Sequence, residues 1–412
     1  MLYKKKIFFY IIGSFSLILG YVFKENSAGG GFHDFQILSP YIIKFSEESF
    51  YTFQQYLSDI GALIHSPFFY FISGKITHLL GGFENFRIFY LLLCLSLPYI
   101  HFKVLKEKFG TKEINIYILS FLIFLSPYYR TSAIWTLGDN FSLIFFGLFT
   151  YYLIKGEKYL NLNYFILSLV FLVICSYTRY YYAIFWIFYI YIIYKKFGSN
   201  IIIQQIAISF ILSLPALFYF DYIISNSNFL SVLKNHSSFN LIKNIFQILS
   251  ILFFYLLPFI FIDRKNFIKY YKKRLNFLFI TFFLLILIIF IGDYGYKIEL
   301  GGGVFYKLDK YSNLNFPIII FLSVFLSILS IIYLFENKLQ NYILLFCLIF
   351  SFSQDTIYQK YIDPLYLFLF FGLLNSNVIK NNILQKKIPI LLIVLYFLFF
   401  LIFALIYYTQ IN

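Results

Sequence analysis

The sequence is poor in charged residues, in cysteine and in long polar segments. Charged residues make up 12% of its 412 residues, and no polar stretch is long enough for a separate soluble domain. Cys94, Cys175 and Cys347 each fall inside an apolar run without a Cys-x-x-Cys pair, which argues against a disulfide framework or a zinc site. The sequence also has no Ser-His-Asp set, dinucleotide fingerprint or Gly-Lys-Ser/Thr phosphate loop.

What the chain has instead is a series of apolar runs. Hydrophobic residues make up 61% of it, and its mean hydropathy is +0.79, as is typical of a polytopic membrane protein. We predict an all-α fold with about thirteen transmembrane helices, in a range of about twelve to fourteen, most of them long enough to cross about 30 Å of hydrocarbon. The predicted spans are 7–23, 88–102, 114–129, 140–154, 163–177, 181–194, 200–220, 241–262, 275–292, 317–335, 341–353, 364–375 and 388–408.

The charges between these runs are sorted by sign. If the N-terminal lysines are cytoplasmic, most of the 33 Lys and Arg fall in cytoplasmic loops and most of the 18 Asp and Glu fall in outer loops. The densest basic cluster, 264–274, is then a cytoplasmic loop suited to anionic lipid headgroups, not to nucleic acid. The spans carry almost no charge, which argues against an ion-coupled transporter. Any catalytic or substrate-binding residues are therefore expected in the outer loops.

Residues 1–412 are predicted to form one integral-membrane domain whose outer loops include 24–87, 293–316 and 354–363. The first loop is predicted to hold two helices that lie along the membrane surface. Ser46 can cap a helix over 46–60, with Glu47 and Glu48 in its first turn. Pro67 suits the first turn of a second helix over 68–80, which is too short to span a membrane.

Asp34 is an outer acid that follows three glycines, Gly29, Gly30 and Gly31, soon after the first predicted span. Glycines let the backbone turn tightly and approach a ligand closely. A carboxylate at this depth could act as general base toward a sugar hydroxyl. The alternative is a flexible glycine linker with a solvated aspartate.

Arg130 and Arg179 each stand where a predicted span emerges on the outside. Because a guanidinium group matches phosphate oxygens in a bidentate fork, the two arginines are candidates for binding a lipid-linked phosphate. The alternative for either residue is snorkelling to lipid headgroups. Asp139, in the polar strip after Arg130, is a candidate ligand for a sugar or acceptor.

Two later outer segments add further candidates. Gly301-Gly302-Gly303 is followed by Tyr306 and Lys307, a pattern that could cradle a phosphate with backbone N–H groups and a lysine counter-charge. The strip from Gln354 to Pro364 is short yet rich in acids, amides and aromatic residues, which suits it to sugar hydroxyls. Its candidate ligands are Tyr358, Gln359, Lys360, Tyr361 and Asp363.

In this order the motifs resemble the GT-C superfold of integral-membrane glycosyltransferases, which take sugars from polyprenyl-phosphate donors. Asp34 matches the essential acid of the first outer loop, and His65-Ser66-Pro67-Phe68-Phe69-Tyr70 is similar to the proline-aromatic segment that follows it. Thr178-Arg179-Tyr180 with Trp186, and Tyr358 to Pro364, resemble segments of the enzymes that add the terminal glucose to the dolichol-linked oligosaccharide. The chain departs from the family at His33-Asp34, where an Asp-Glu or Asp-Asp pair is usual, so that Glu47, Glu48 and Asp59 remain alternative bases.

The resemblance implies an inverting glycosyltransferase of a bacterial inner membrane, active at the periplasmic face, with a cytoplasmic N-terminus. It would move a sugar from an undecaprenyl-phosphate-linked donor to a lipid-linked glycan, surface glycan or lipid A acceptor. No cofactor is expected, and a divalent cation is left open. The implied roles are base for Asp34; phosphate binding for Arg130, Arg179, Lys307 and Lys360; and sugar or acceptor binding for His33, Asp139, Tyr306, Tyr358, Gln359, Tyr361 and Asp363.

Two other functions fit the same composition. An O-antigen or capsule polymerase also joins lipid-linked sugars outside, but by resemblance it uses arginine-rich outer loops, and here only Arg87, Arg130 and Arg179 are predicted to lie outside. A flippase or transporter of lipid-linked glycans would line a central cavity with polar residues. The predicted spans lack such residues, which disfavours transport, and the first loop leads with an acid and not with arginines, which disfavours the polymerase.

Overall fold

In the computed structural model, all regular secondary structure of the described residues is helical. The structure describes residues 2–47, 52, 55–56, 59, 66–110, 114–225, 241–291, 301–312, 317–352, 357–384 and 387–409. The chain divides into two compact units. The first comprises 1–233, 367–373 and 397–412, and the second comprises 234–366 and 374–396.

The first unit contains most of the helices. They are α1 (Leu2–Val22), α2 (Gly31–Glu47), α3 (Pro67–Leu79), α4 (Phe83–Cys94), α5 (Ser96–Phe109), α6 (Ile114–Phe121), α7 (Pro127–Ile134), α8 (Gly138–Tyr159), α9 (Leu162–Thr178), α10 (Phe185–Phe197) and α11 (Ser199–Ser225). Short 3-10 turns follow α6 at Leu122–Leu125 and precede α10 at Tyr180–Ile184.

The second unit is built around two long apolar helices that pack against each other. Its helices are α12 (Leu241–Ile262), α13 (Arg264–Lys272), α14 (Leu275–Ile291), α15 (Gly303–Ser312), α16 (Ile318–Phe335) and α17 (Leu339–Ser351), with a 3-10 turn at Gln359–Tyr361. A short helix, Leu365–Leu367, continues into a π-helical turn, Phe368–Leu373, and a second π-helical turn covers Ile379–Leu384. The last helix is α18 (Lys387–Thr409).

Several of these helices have the length and composition of membrane spans. Within the described residues, five helices qualify: 83–109, 199–217, 241–262, 318–335 and 388–408. A sixth span results if α7 and α8, which are bent by 116° at a short break, are counted together. The prediction of an all-helical membrane protein is therefore confirmed. Each of the thirteen predicted spans overlaps a helical segment of the described residues, but their number as membrane crossings stays a prediction.

The first loop differs from the sequence prediction in its first helix. Ser46 does not begin a helix, because it lies in the last turn of α2, which starts at the glycines. Leu38, Ile42 and Phe45 recur at helical spacing and are buried, and this apolar face packs on α3. Most of the predicted 46–60 helix lies outside the described residues.

The second predicted helix of the first loop is confirmed. It runs from Pro67 to Leu79, with Ser66 as the N-cap whose hydroxyl accepts the Phe68 N–H at 3.4 Å. Gly74 allows α2 and α3 to approach closely, since a Cβ there would lie 2.5 Å from the Phe45 Cβ and 2.9 Å from the Ile42 carbonyl oxygen.

Candidate active site

Asp34 lies in the first turn of α2, where the helix dipole favours a carboxylate. The chain before it is fixed to α7, because the Ala28 N–H donates to the Thr131 hydroxyl at 2.9 Å. A Cβ on Gly31 would lie 2.0 Å from the Thr131 methyl group, so only glycine fits this contact. The segment around Asp34 is thus a docked turn and not a flexible linker. Asp34 itself is half-buried, and His33 beside it is exposed.

Arg179 and Asp139 form an ion pair between two helix ends. Arg179 directly follows α9, and Asp139 lies in the first turn of α8. An Arg179 Nη2 atom lies 3.0 Å from an Asp139 carboxylate oxygen, and their side chains are 14% and 23% exposed. This partial burial strengthens the interaction relative to a surface pair.

Tyr70 of α3 joins these three residues into one group. Burial raises the pKa of its hydroxyl; the nearby Arg179 acts to lower it, and the nearby Asp139 and Asp34 act to raise it. Its side chain is only 3% exposed. Asp34, Asp139 and Arg179 thus all lie within electrostatic range of one buried hydroxyl. We refer to these four residues as the Tyr70 cluster.

The position of Tyr70 is set by aromatic packing and by a cap. Its ring lies 5.6 Å from the Tyr56 ring and 6.2 Å from the Tyr41 ring, centroid to centroid. The Ser66 hydroxyl, which caps α3, donates to the carbonyl oxygen of Tyr177 near the end of α9. This bond ties the start of α3 to the chain two residues before Arg179.

Arg130 has a different environment from the one predicted. Its Nε donates to a Glu25 carboxylate oxygen at 2.7 Å, and its Nη2 also pairs with Glu25. The Nη1 and Nη2 atoms donate to the Ser16 hydroxyl and carbonyl oxygen at 3.0 and 2.9 Å. Because these contacts bury Arg130 to 5% exposure, they give it a structural role in holding α1 against α7. Its predicted phosphate contact is left without direct support.

Two other charged residues of the first loop are also engaged within the protein. The Arg87 guanidinium lies 5.3 Å from the Tyr21 ring, 5.0 Å from the Phe35 ring and 5.9 Å from the Trp135 ring. Asp59, a candidate base, pairs with Lys44 at 2.7 Å. The candidate base Glu47 is the last residue of α2, and Glu48 lies outside the described residues.

In the second unit, the triglycine Gly301–Gly303 lies against Ile357 and Gln359 of the polar strip. The Gly302 N–H donates to the Ile357 carbonyl oxygen at 2.9 Å, so this N–H is not available to a phosphate cradle. All three glycines have positive φ values, which explains why glycine is needed there. The Gln359 Nε2 donates to the Tyr255 hydroxyl at 2.9 Å, and a Cβ on Gly303 would lie 3.4 Å from the other Gln359 side-chain atom, Oε1.

The remaining predicted residues of this unit differ in exposure. Tyr306 and Asp363 are each 2% exposed and face the interior. Lys307 is half-buried, and Lys360 lies over the Tyr358 and Tyr361 rings at 5.4 and 5.9 Å. The structure brings Gln359 to the triglycine, a juxtaposition that the sequence did not predict.

Comparison of the chain with protein-family profiles and with curated proteins gives no match. The resemblance to membrane glycosyltransferases therefore rests on the short sequence motifs. Among the residues that the structure describes, no three or more His, Cys, Asp or Glu side chains group closely enough to hold a metal ion.

Sequence reasoning missed Tyr70 and Glu25 as site and support residues. Tyr70 ends the proline-aromatic segment His65–Tyr70, which marked the segment as a whole but assigned no role in the site to Tyr70 itself. Glu25 had a usable signal, since it is the first acid after the first span and opposite charges in apolar surroundings tend to pair.

Proposed function

We propose that the chain is a membrane glycosyltransferase of the GT-C type, with about thirteen transmembrane helices and its site on the outer face of the membrane. It would transfer a sugar from an undecaprenyl-phosphate-linked donor to a lipid-linked or surface glycan. The observation that carries the proposal is the Tyr70 cluster, which combines a candidate base with a candidate phosphate ligand. The mechanism itself rests on chemical analogy.

Asp34 serves as the general base in this proposal. It takes the proton of the acceptor hydroxyl while that oxygen attacks the anomeric carbon, and the bond from this carbon to the phosphate oxygen breaks. The attack from the opposite face inverts the anomeric centre. The bonding electrons leave with the polyprenyl phosphate, and its negative charge is what a fixed cation would stabilise.

Arg179 supplies that cation, and Asp139 orients it. Because Asp139 holds the Nη2 atom of Arg179 at 3.0 Å, the side chain needs less ordering when phosphate arrives. Lys307, Lys360 and the polar residues of the 358–363 strip belong to the second unit, and their roles as phosphate and sugar ligands remain predictions from the sequence.

The test is transfer from a panel of radiolabelled undecaprenyl-phosphate monosaccharides in membranes that contain the wild type, Asp34→Ala or Asp34→Asn. We expect wild-type transfer and a loss of about 100-fold or more in both variants, the usual contribution of a general base. Asp59→Asn tests the alternative base in the same assay, and we expect it to keep transfer close to the wild type, since the Asp59 carboxylate is already paired with Lys44 at 2.7 Å.

Full activity of Asp34→Asn at wild-type abundance would remove the proposed base. Failure of every monosaccharide donor, together with extension of a lipid-linked repeat unit, would favour the polymerase instead.

A further inference from the structure

Two buried amide side chains lie on one face of α12 in the second unit. Asn244 and Gln247 are three residues apart and are 1% and 0% exposed. Each uses one end of its amide to hold the chain beside the polar strip. The Asn244 Nδ2 donates to the Phe352 carbonyl oxygen at 3.1 Å, and the Gln247 Oε1 accepts the Ile357 N–H at 3.2 Å.

The other end of each amide has no hydrogen-bond partner among the described residues. These atoms are Asn244 Oδ1, an acceptor, and Gln247 Nε2, a donor. Rotating either amide would not help, because it would break the bond to Phe352 or Ile357. Since buried polar groups nearly always have a partner, this pair of atoms indicates a group that binds there.

The complementary character of the two atoms identifies that group. Because the two residues are three positions apart on one helix, a single hydroxyl that donates to Asn244 Oδ1 and accepts from Gln247 Nε2 would satisfy both atoms. Water and a sugar hydroxyl both satisfy this requirement. The surroundings favour the sugar, because two half-exposed rings, Tyr358 and Tyr361, lie beside the buried Phe352 whose carbonyl oxygen binds Asn244.

Those rings are the flat surfaces on which a sugar ring can lie. Phe352, whose carbonyl oxygen binds Asn244, stacks on Tyr361 at 5.5 Å, and Tyr361 lies 5.7 Å from Tyr358. A few fixed polar groups beside aromatic surface are typical of small-ligand sites.

We propose that Asn244 and Gln247 form a binding site for a hydroxyl of a sugar substrate. The choice of a sugar rests on the proposed function, whereas the need for a hydroxyl rests on the two amides alone. The sugar could belong to the lipid-linked donor or to a neutral acceptor, because both present the same hydroxyl chemistry.

The experiment measures equilibrium binding to the purified full-length protein in lipid nanodiscs. The probes are radiolabelled undecaprenyl-phosphate glucose, undecaprenyl phosphate, and the methyl glycosides of glucose, galactose and N-acetylglucosamine. We expect Gln247→Met and Asn244→Leu to weaken binding of a sugar-bearing probe by about tenfold or more. Gln205→Met is the matched control, since Gln205 is also a buried amide, 2% exposed, but lies in the first unit.

The arms of the experiment distinguish the two sources of the sugar. Weaker binding of the lipid-linked sugar alone would assign the site to the donor, and weaker binding of a methyl glycoside would assign it to the acceptor. Unchanged binding in both variants, or an equal loss in Gln205→Met, would overturn the inference and leave only a buried water. Absence of binding of every sugar probe to the wild type would overturn it as well.

A second measurement on the wild type does not depend on how the variants fold. A diazirine-bearing form of the bound sugar probe should label residues 241–250 or 357–363. Labelling confined to other segments would contradict the site. Because binding is read without turnover, wild-type binding without transfer in any assay would refute the proposed function alone. Wild-type transfer with unchanged binding in both Gln247→Met and Asn244→Leu would refute this inference alone.

Discussion

Variants of Arg130 test whether this arginine, predicted from the sequence to bind phosphate, instead supports the fold. Replacing it with methionine keeps an unbranched side chain, shorter than that of arginine, and removes the charge, so that the Glu25 carboxylate is left buried without its partner. The two side chains are 6% and 8% exposed, so water cannot easily take the place of the lost contact. We expect Arg130→Met to destabilise the protein by about 3–5 kcal/mol, the usual cost of an uncompensated buried charge.

The same argument predicts that removing both partners costs less than removing one. In Glu25→Met/Arg130→Met no charge is left behind, and replacing a buried ion pair with apolar groups is often close to neutral. The bonds from Arg130 to Ser16 are still lost, so we expect about 1–2 kcal/mol of the destabilisation to remain. A double-mutant cycle on reversible unfolding in mixed micelles measures these differences.

The activity of the folded variants tests whether Arg130 also binds phosphate. If Arg130 only supports the fold, the double variant should transfer sugar with a donor KM close to that of the wild type. A stable Arg130→Met protein with a strongly raised donor KM would refute this reasoning and restore the predicted phosphate contact.

Three further predictions concern the Tyr70 cluster and its support. Because the Tyr70 hydroxyl lies near the charges of both Asp34 and Arg179, Tyr70→Phe should lower kcat about tenfold, equivalent to about 1.4 kcal/mol, with little change in donor KM. Tyr56→Phe, at a neighbouring buried ring, should not lower kcat. Asp139→Asn should raise the donor KM several-fold in the transfer assay by leaving Arg179 less well oriented, and an unchanged KM would argue against that role. Gly74→Ala should lower the thermal midpoint because its Cβ would meet Phe45 at 2.5 Å, whereas Gly30→Ala, with nothing within 4 Å, should be neutral.

The sequence predicted those elements of the fold that local chemistry determines. The start of α3 follows from Ser66 and Pro67, whose cap and fixed φ act within one turn. The start of α2 was missed because three glycines usually indicate a flexible turn. There the helix is stabilised by distant contacts, such as that of Gly31 with Thr131, which no local pattern reveals.

The candidate site shows the same limit. Asp34 and Arg179 could be singled out, because each is a charged residue close to the end of an apolar run. Their convergence on Tyr70 depends on how α2, α3, α8 and α9 pack, and helix packing is not encoded in spacing along the chain.

The environments of Arg87, Arg130 and Arg179, the three arginines predicted to lie outside, bear on the choice between a transferase and a polymerase. Arg87 lies among three aromatic rings and pairs with Glu84 at 3.0 Å, and Arg130 is buried against Glu25. Both are engaged in holding the first loop, whereas Arg179 belongs to the cluster that contains the candidate base. A polymerase of the arginine-loop kind needs several arginines directed at its glycans. Here two of the three outer arginines support the fold, and Arg179 lies near a carboxylate that could act as base. This arrangement fits the proposed transferase better than a polymerase.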